Sequence, residues 1–222
     1  MKKPRKLILI LLIAALLPSG ALLAPPWQLV FVKQGIRVSK RSGPNSLLEF
    51  MARGRVNASI LKILSVIHDV NSYGKWVPRN RETRILRRVS DTELIFYQAN
   101  KGFWPVSDRD FVGRAVLRPD EKNKIVTMVV RNIPGARPVY SGRVRMPRVH
   151  SIWTLKSLGK NKTLVNLYVY ADPAGWLPKW IVNWASKDVP FDLIRNLRRR
   201  VTQVDRVNAA FLRKYGKYAD WH

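Results

Sequence analysis

The stretch Asp172-Pro-Ala-Gly-Trp-Leu-Pro-Lys-Trp-Ile-Val-Asn-Trp184 decides the fold, because one periodicity ends there and another begins. Thr163 to Tyr170 alternates as a strand does. Gly175 and Pro178 punctuate its end. Pro178 falls where a first-turn helix proline is tolerated, since its missing N–H would have no partner there. From that point to about Tyr215 the apolar residues return at helical spacing: Leu177, Ile181, Trp184, then Ile194, Leu197, Val201, Val204 and Phe211. Pro190 lies inside the run and is expected to kink the helix or break it in two. Arg195, Arg198, Arg199 and Arg206 take the opposite face. A long helix with one apolar stripe needs an apolar surface to lie on.

The preceding chain reads as a sheet that supplies it. Short strands are expected over Trp27 to Val32, Ile36 to Ser39 and Leu47 to Val56, the last with a glycine at 54. Asn57 is the expected N-cap of a short helix with Ile60, Leu61, Leu64 and Ile67 on one face, ending near Val70. Thr83 to Val89 and Thr92 to Ala99 make a hairpin around Ser90-Asp91. Arg109 to Leu117, Lys124 to Asn132, Tyr140 to Met146, His150 to Leu158 and Leu164 to Tyr170 complete the set. Hairpins framed by two helices, the longer one last, indicate an α+β protein with a mostly antiparallel sheet. One strand is informative in detail. Phe111, Gly113, Ala115 and Leu117 share a side that carries no charge and includes two very small residues. Either they leave room beneath the helix, or a bulky neighbour fills the gap, or Gly113 marks a bulge.

Composition restricts function. Of 222 residues, 46% are hydrophobic, enough for one domain with a sizeable core. The absence of cysteine excludes disulfides, thiolate metal sites and cysteine nucleophiles. A formal charge of +27, from 41 Lys+Arg against 14 Asp+Glu, favours polyanionic partners. Lys2 to Lys6 is a basic segment, followed by the uncharged apolar run Leu7 to Ala24. That pattern is an export signal. As a helix the run reaches roughly 27 Å, barely a bilayer core, so a cleaved signal and an uncleaved anchor both fit. In either case the positive-inside rule puts the domain outside the cytoplasm, in the periplasm, which argues against nucleic acid as a partner. The expected division is residues 1–24 as signal or anchor, 25–215 as the domain and 216–222 as a tail.

Three stretches taken together have a family likeness: Trp104-Pro-Val-Ser-Asp-Arg-Asp-Phe-Val112, Tyr140-Ser-Gly-Arg-Val-Arg-Met146 with Trp153, and Asp172 to Asn183. In order and spacing they resemble the START domain, the steroidogenic acute regulatory protein-related lipid transfer family, from about Trp27 to Phe211. The resemblance implies a helix-grip fold, in which a curved antiparallel sheet wraps the C-terminal helix and encloses one hydrophobic tunnel for a single lipid. Carried onto this sequence, the lid is Trp176 to Phe211 with the loop Lys101 to Ser107. The lipid-facing residues are then expected to be Phe111, Gly113, Ala115, Trp153, Trp184, Ile194, Leu197 and Val201. Phe103, Trp104, Trp176, Pro178 and Trp180 fall at the lid and membrane interface. Arg109 and Asp110 are either a polar anchor for a head group or part of a structural salt bridge.

Catalysis finds little support. His68, His150 and His222 have no recognisable carboxylate or nucleophile partner, and no phosphate-binding, dinucleotide or zinc motif is present. No catalytic residue, metal or cofactor is expected. The expectation is an exported, monomeric lipid-binding and lipid-transferring module. Its partners are a phospholipid or sterol-like lipid and an anionic membrane surface. The alternatives are a helix-grip cyclase or hydrolase acting on a hydrophobic substrate, and a membrane-anchored lipid sensor.

Overall fold

The computed structural model describes residues 25–102, 106–204, 207 and 209–218, apart from the side chains of residues 184, 185 and 210. Gln28–Lys33 (β1), Ile36–Ser42 (β2) and Leu48–Val56 (β3) form a meander. Two short helices follow, Ile60–His68 (α1) and Tyr73–Trp76 (α2). Asn80–Arg88 (β4), Glu93–Asn100 (β5), Asp108–Asp120 (β6) and Ile125–Asn132 (β7) form a second meander. Arg143–Arg145 (β8), Arg148–Ser157 (β9) and Thr163–Asp172 (β10) complete the sheet, and Lys179–Ser186 (α3), Val189–Thr202 (α4) and Ala209–Tyr215 (α5) end the described chain. The strand order is β1-β2-β3-β10-β9-β7-β6-β5-β4. Neighbours along this path are antiparallel. This is the curved antiparallel sheet and C-terminal helix of the helix-grip fold.

Four local expectations need correction. β8 covers three residues of the seven expected from 140 to 146, and it runs parallel to β6. β7 begins its pairing with β6 only at Gly113, so β8 fits beside Asp108–Asp110, where β7 is absent. Ser59, not Asn57, caps α1, its hydroxyl accepting from the Lys62 N–H at 3.3 Å, and the helix stops at His68. Pro178 immediately precedes α3 with extended backbone (ψ 130°) rather than lying in its first turn. The long terminal helix is three helices. Pro190 sits in the first turn of α4, so the chain breaks at Lys187–Asp188, and α4 ends before Val204.

The turn into α3 is set by Asp172, whose carboxylate accepts from the Ala174 N–H at 3.0 Å. Ala174 and Gly175 both take left-handed backbone (φ 57° and 74°), which costs the alanine and not the glycine. The Asn183 carboxamide oxygen accepts from the Leu48 N–H at 2.9 Å and fixes α3 to the start of β3. Asn196 donates to the Trp76 carbonyl at 2.8 Å and fixes α4 to α2.

Phe191, Ile194, Leu197 and Val201 of α4 are buried against β2, β3 and α1, with Ile194 and Leu197 wholly inaccessible. Gly54 makes this approach possible. A Cβ there would lie 3.0 Å from Ile36 Cγ1 and 3.3 Å from Ile194 Cγ2. Leu193, one residue before Ile194, borders open space instead. Leu197→Ala is therefore expected to lower unfolding stability by about 3 kcal/mol, as buried leucine truncations do. Leu193→Ala should cost clearly less, because its side chain already adjoins a void. Denaturant titration of both variants measures the difference.

Candidate functional site

The side of α2, α3 and α4 that does not touch the sheet at β2 and β3 faces a cavity of about 270 Å³. Its floor is the inward side of the sheet: Phe96, Phe111, Met128, Val130, Trp153 and Val169. Its roof comprises Tyr73 and Trp76 of α2, Val182 and Ser186 of α3, and Val189 and Leu193 of α4. Arg79, Gln98, Asn100, Ser151 and Asn183 are polar residues that reach the wall. Gln98 donates to Asn100 at 2.9 Å. A smaller chamber of about 60 Å³ adjoins it, sharing Ile67, Tyr73, Phe96, Met128 and Val130 with the first. Ala115, Leu117 and Phe211 line it, with His68, Arg88 and Asp91 among its polar residues.

The structure divides the residues singled out from the sequence. Phe111 and Trp153 lie on the main wall and Ala115 in the rear chamber. Gly113 is not on either wall. A Cβ there would come within 2.9 Å of the Phe96 and Phe111 rings, which meet edge to face at 5.6 Å. The glycine makes room for those rings. Ile194, Leu197 and Val201 belong to the packed core and not to the wall, which α4 reaches through Val189 and Leu193. The Trp184 side chain, Phe103, Trp104 and the start of the chain through residue 24 lie outside the described residues. No helix among the described residues is long and apolar enough to cross a membrane.

Arg109 and Asp110 separate as strand neighbours must. Asp110 turns to the outer face, 2% exposed, where it accepts from Arg145 Nε at 2.6 Å and from the Tyr97 hydroxyl at 2.9 Å. Arg145 also donates to the Ala136 carbonyl at 2.7 Å, holding the 133–140 loop against the sheet. Asp110 is therefore an outer-face structural charge and cannot anchor a ligand in the cavity. Arg109 points inward at the rim, donating to the Ser107 carbonyl, and burial lowers its pKa. Its Nη2 lies 3.8 Å from where a Cβ on Gly175 would stand, so it sits beside the turn into α3 rather than lining the wall.

At the same rim, Pro178 is half-buried while Trp176 is 94% exposed and Trp180 72% exposed. Two indoles in water are unusual for residues of that size. The inward polar residues of β5 were not singled out from the sequence. The alternation Phe96, Gln98, Asn100, grading from apolar to polar on one face, was the available signal.

Burial lowers the pKa of His68 from 6.5, reinforced by Arg88 and Lys214. Burial lowers that of His150 as well, with Arg131 adding to it. Both rings are held neutral in the fold, so the unfolded chain binds more protons once the pH falls below about 6.5. This part of the stability is complete above that pH and is lost as the pH drops toward the folded-state values. The melting temperature should fall between about pH 7 and about pH 5, and the slope should flatten in a His68→Asn, His150→Asn variant. Calorimetric melts across the range test it.

The START-domain family profile matches residues 50–206. Phosphatidylcholine transfer protein of Mus musculus is 26% identical over 177 residues, covering 78% of this chain and 82% of that one. The solved STAR-related lipid transfer protein from Xanthomonas axonopodis superposes with a TM-score of 0.73 at 30% identity, over 80% of this chain and 99% of that one. Human StAR-related lipid transfer protein 5 shares the fold, with a TM-score of 0.72 at 19% identity over 80% of this chain and 86% of that one. A family match across most of the chain, joined to a structural match at 30% identity over 80% of it, makes this protein a member of the START domain family.

Proposed function

We propose that the protein binds a single lipid in the cavity and carries it between membranes. The observation that carries this reading is a largely apolar cavity with a few polar groups on its wall, roofed by a broken helix beside which Trp176 and Trp180 are exposed. Each methylene withdrawn from water contributes roughly 0.8 kcal/mol, so acyl or sterol surface supplies the affinity. Gln98, Asn100, Ser151 and Asn183 offer amides and hydroxyls to a head group or linkage. The names of the relatives, which are lipid transfer proteins, support the same class of cargo.

At 270 Å³ the cavity is below the roughly 300–1,000 Å³ of ordinary small-molecule sites, so a two-chain lipid needs the roof to move. With the break at Lys187–Asp188, α3 can swing while α4 stays packed once the Asn183–Leu48 hydrogen bond opens. Trp176 and Trp180 would enter the head-group layer, where indoles are favoured, and Lys179 beside them would meet anionic lipid. The basic and apolar N-terminal segment supports action outside the cytoplasm, with the domain released or tethered.

Native purification followed by mass spectrometry should find lipid bound with a stoichiometry of about one, as a single enclosed site requires. Recovery of a folded protein free of lipid, unable to load from vesicles, would overturn the reading. Ala115→Trp should fill the rear chamber and lower loading of long-chain lipid from vesicles, while the main cavity still admits a shorter one. Trp176→Ser with Trp180→Ser should slow transfer between vesicles by about tenfold or more, each indole contributing at the interface, while leaving the bound lipid in place.

A further inference from the structure

The outer face of the sheet, opposite the cavity, carries a pattern that ligand binding does not use. Phe50, Ala52 and Gly54 of β3 point to the core, so Met51, Arg53 and Arg55 point outward. The strand registers assemble rows across this face. One runs Arg37, Arg53, Asn166, Thr154, Thr127, Arg118 over six strands, about 24 Å at the usual strand spacing. Beside it on one side runs Met51, Tyr168, Ile152, Val129, Val116, all partly exposed. On the other side Arg55 and Lys156 flank Leu164.

Arg37, Arg53, Arg55, Arg118, Arg131 and Lys156 are exposed, and among the described residues none of them forms a salt bridge. Three acids of this face are engaged, Glu49 by Arg41, Glu93 by Arg114 and Asp110 by Arg145, while Asp120 and Asp172 at the strand ends accept from Asn123 and from the Ala174 N–H. Arg37 stands directly opposite Arg53. Like charges so placed destabilise a sheet. An external anion that relieves the repulsion is favoured.

We propose that this outer face is a second docking surface, for an anionic phospholipid bilayer. The charges are spread in two dimensions, at the ends of a row whose middle is amide and hydroxyl, beside an apolar strip. A plane of mobile anionic head groups can collect under each arginine. A duplex presents its phosphates along fixed lines and matches this layout poorly. Asn166 lies six residues before Asp172, about 20 Å along β10 from the turn that bears Trp176. The two surfaces therefore lie apart, one at the cavity rim and one behind the sheet, and together they can hold two membranes at once. The inference does not depend on the cavity ligand.

The test uses the protein as isolated from its producing cells, with vesicles of phosphatidylglycerol or of phosphatidylcholine, read by light scattering and co-sedimentation. Wild type should cluster the anionic vesicles and not the neutral ones. A variant carrying Arg37→Gln, Arg53→Gln and Arg118→Gln removes exposed charge only. It should fold and load lipid as wild type does, yet need about a hundredfold more protein for clustering, at roughly a factor of five per arginine. Clustering unchanged in this variant overturns the proposal. So does wild type that binds anionic vesicles without clustering them, or a variant that loses duplex DNA binding while clustering normally. Failure of wild type to load lipid would count against the cavity reading alone.

Discussion

The contact of α4 with β3 at Gly54 is the constraint from which the rest follows. Ile194 reaches the sheet there because no side chain intervenes. Once Ile194, Leu197 and Val201 are seated, the orientation of α4 about its axis is fixed. The rotation that buries this stripe leaves Val189 and Leu193 facing a part of the sheet too distant to pack against. The empty space is thus a geometric result of good packing next to it. A curved sheet can touch a straight helix along only part of its width, and β5, β6 and β7 bend past the contact.

Much of this was legible in the sequence. The alternation in nine of the ten strands, the helical return after Asp172 and the break at Pro190 all follow from local periodicity. The wall of the cavity was read less well, and for a physical reason. Hydropathy ranks residues by their preference for leaving water, and a close-packed core satisfies that preference better than a void does. The most apolar stripe of α4 accordingly went to the core, while the mixed stripe Val182, Ser186, Val189, Leu193 borders the cavity. Gly113 misled in the same way. A small inward residue implies space at the backbone, but the Phe96 ring from the facing strand position occupies it. Sequence alternation places a residue on a face, and only the packing decides which neighbour fills the space above it.

The charged residues of the motif region illustrate a related point. Arg109 and Asp110 are adjacent in sequence but lie on opposite sides of the sheet, one beside the turn before α3, the other holding the 133–140 loop through Arg145. The acidic residues of the outer face are mostly consumed in such internal pairs. Each such pair is neutral, so the positive charge of the outer surface comes from the arginines and lysines in excess of the acids.

The strand order also governs how the molecule can assemble. β1, β2 and β3 join the remaining strands only through β10, which pairs with β3 on one side and β9 on the other. Leu167 lies opposite Ala52, more than a hundred residues away in the chain. Closing so long a loop makes folding slow, since its entropy must be overcome before the pairing yields anything. Until residues 163–172 emerge, the N-terminal meander and the central strands are two separate open sheets with unpaired edges. A chain whose halves cannot unite before its last strand arrives keeps those strand edges exposed until synthesis is nearly complete, where a chaperone can cover them.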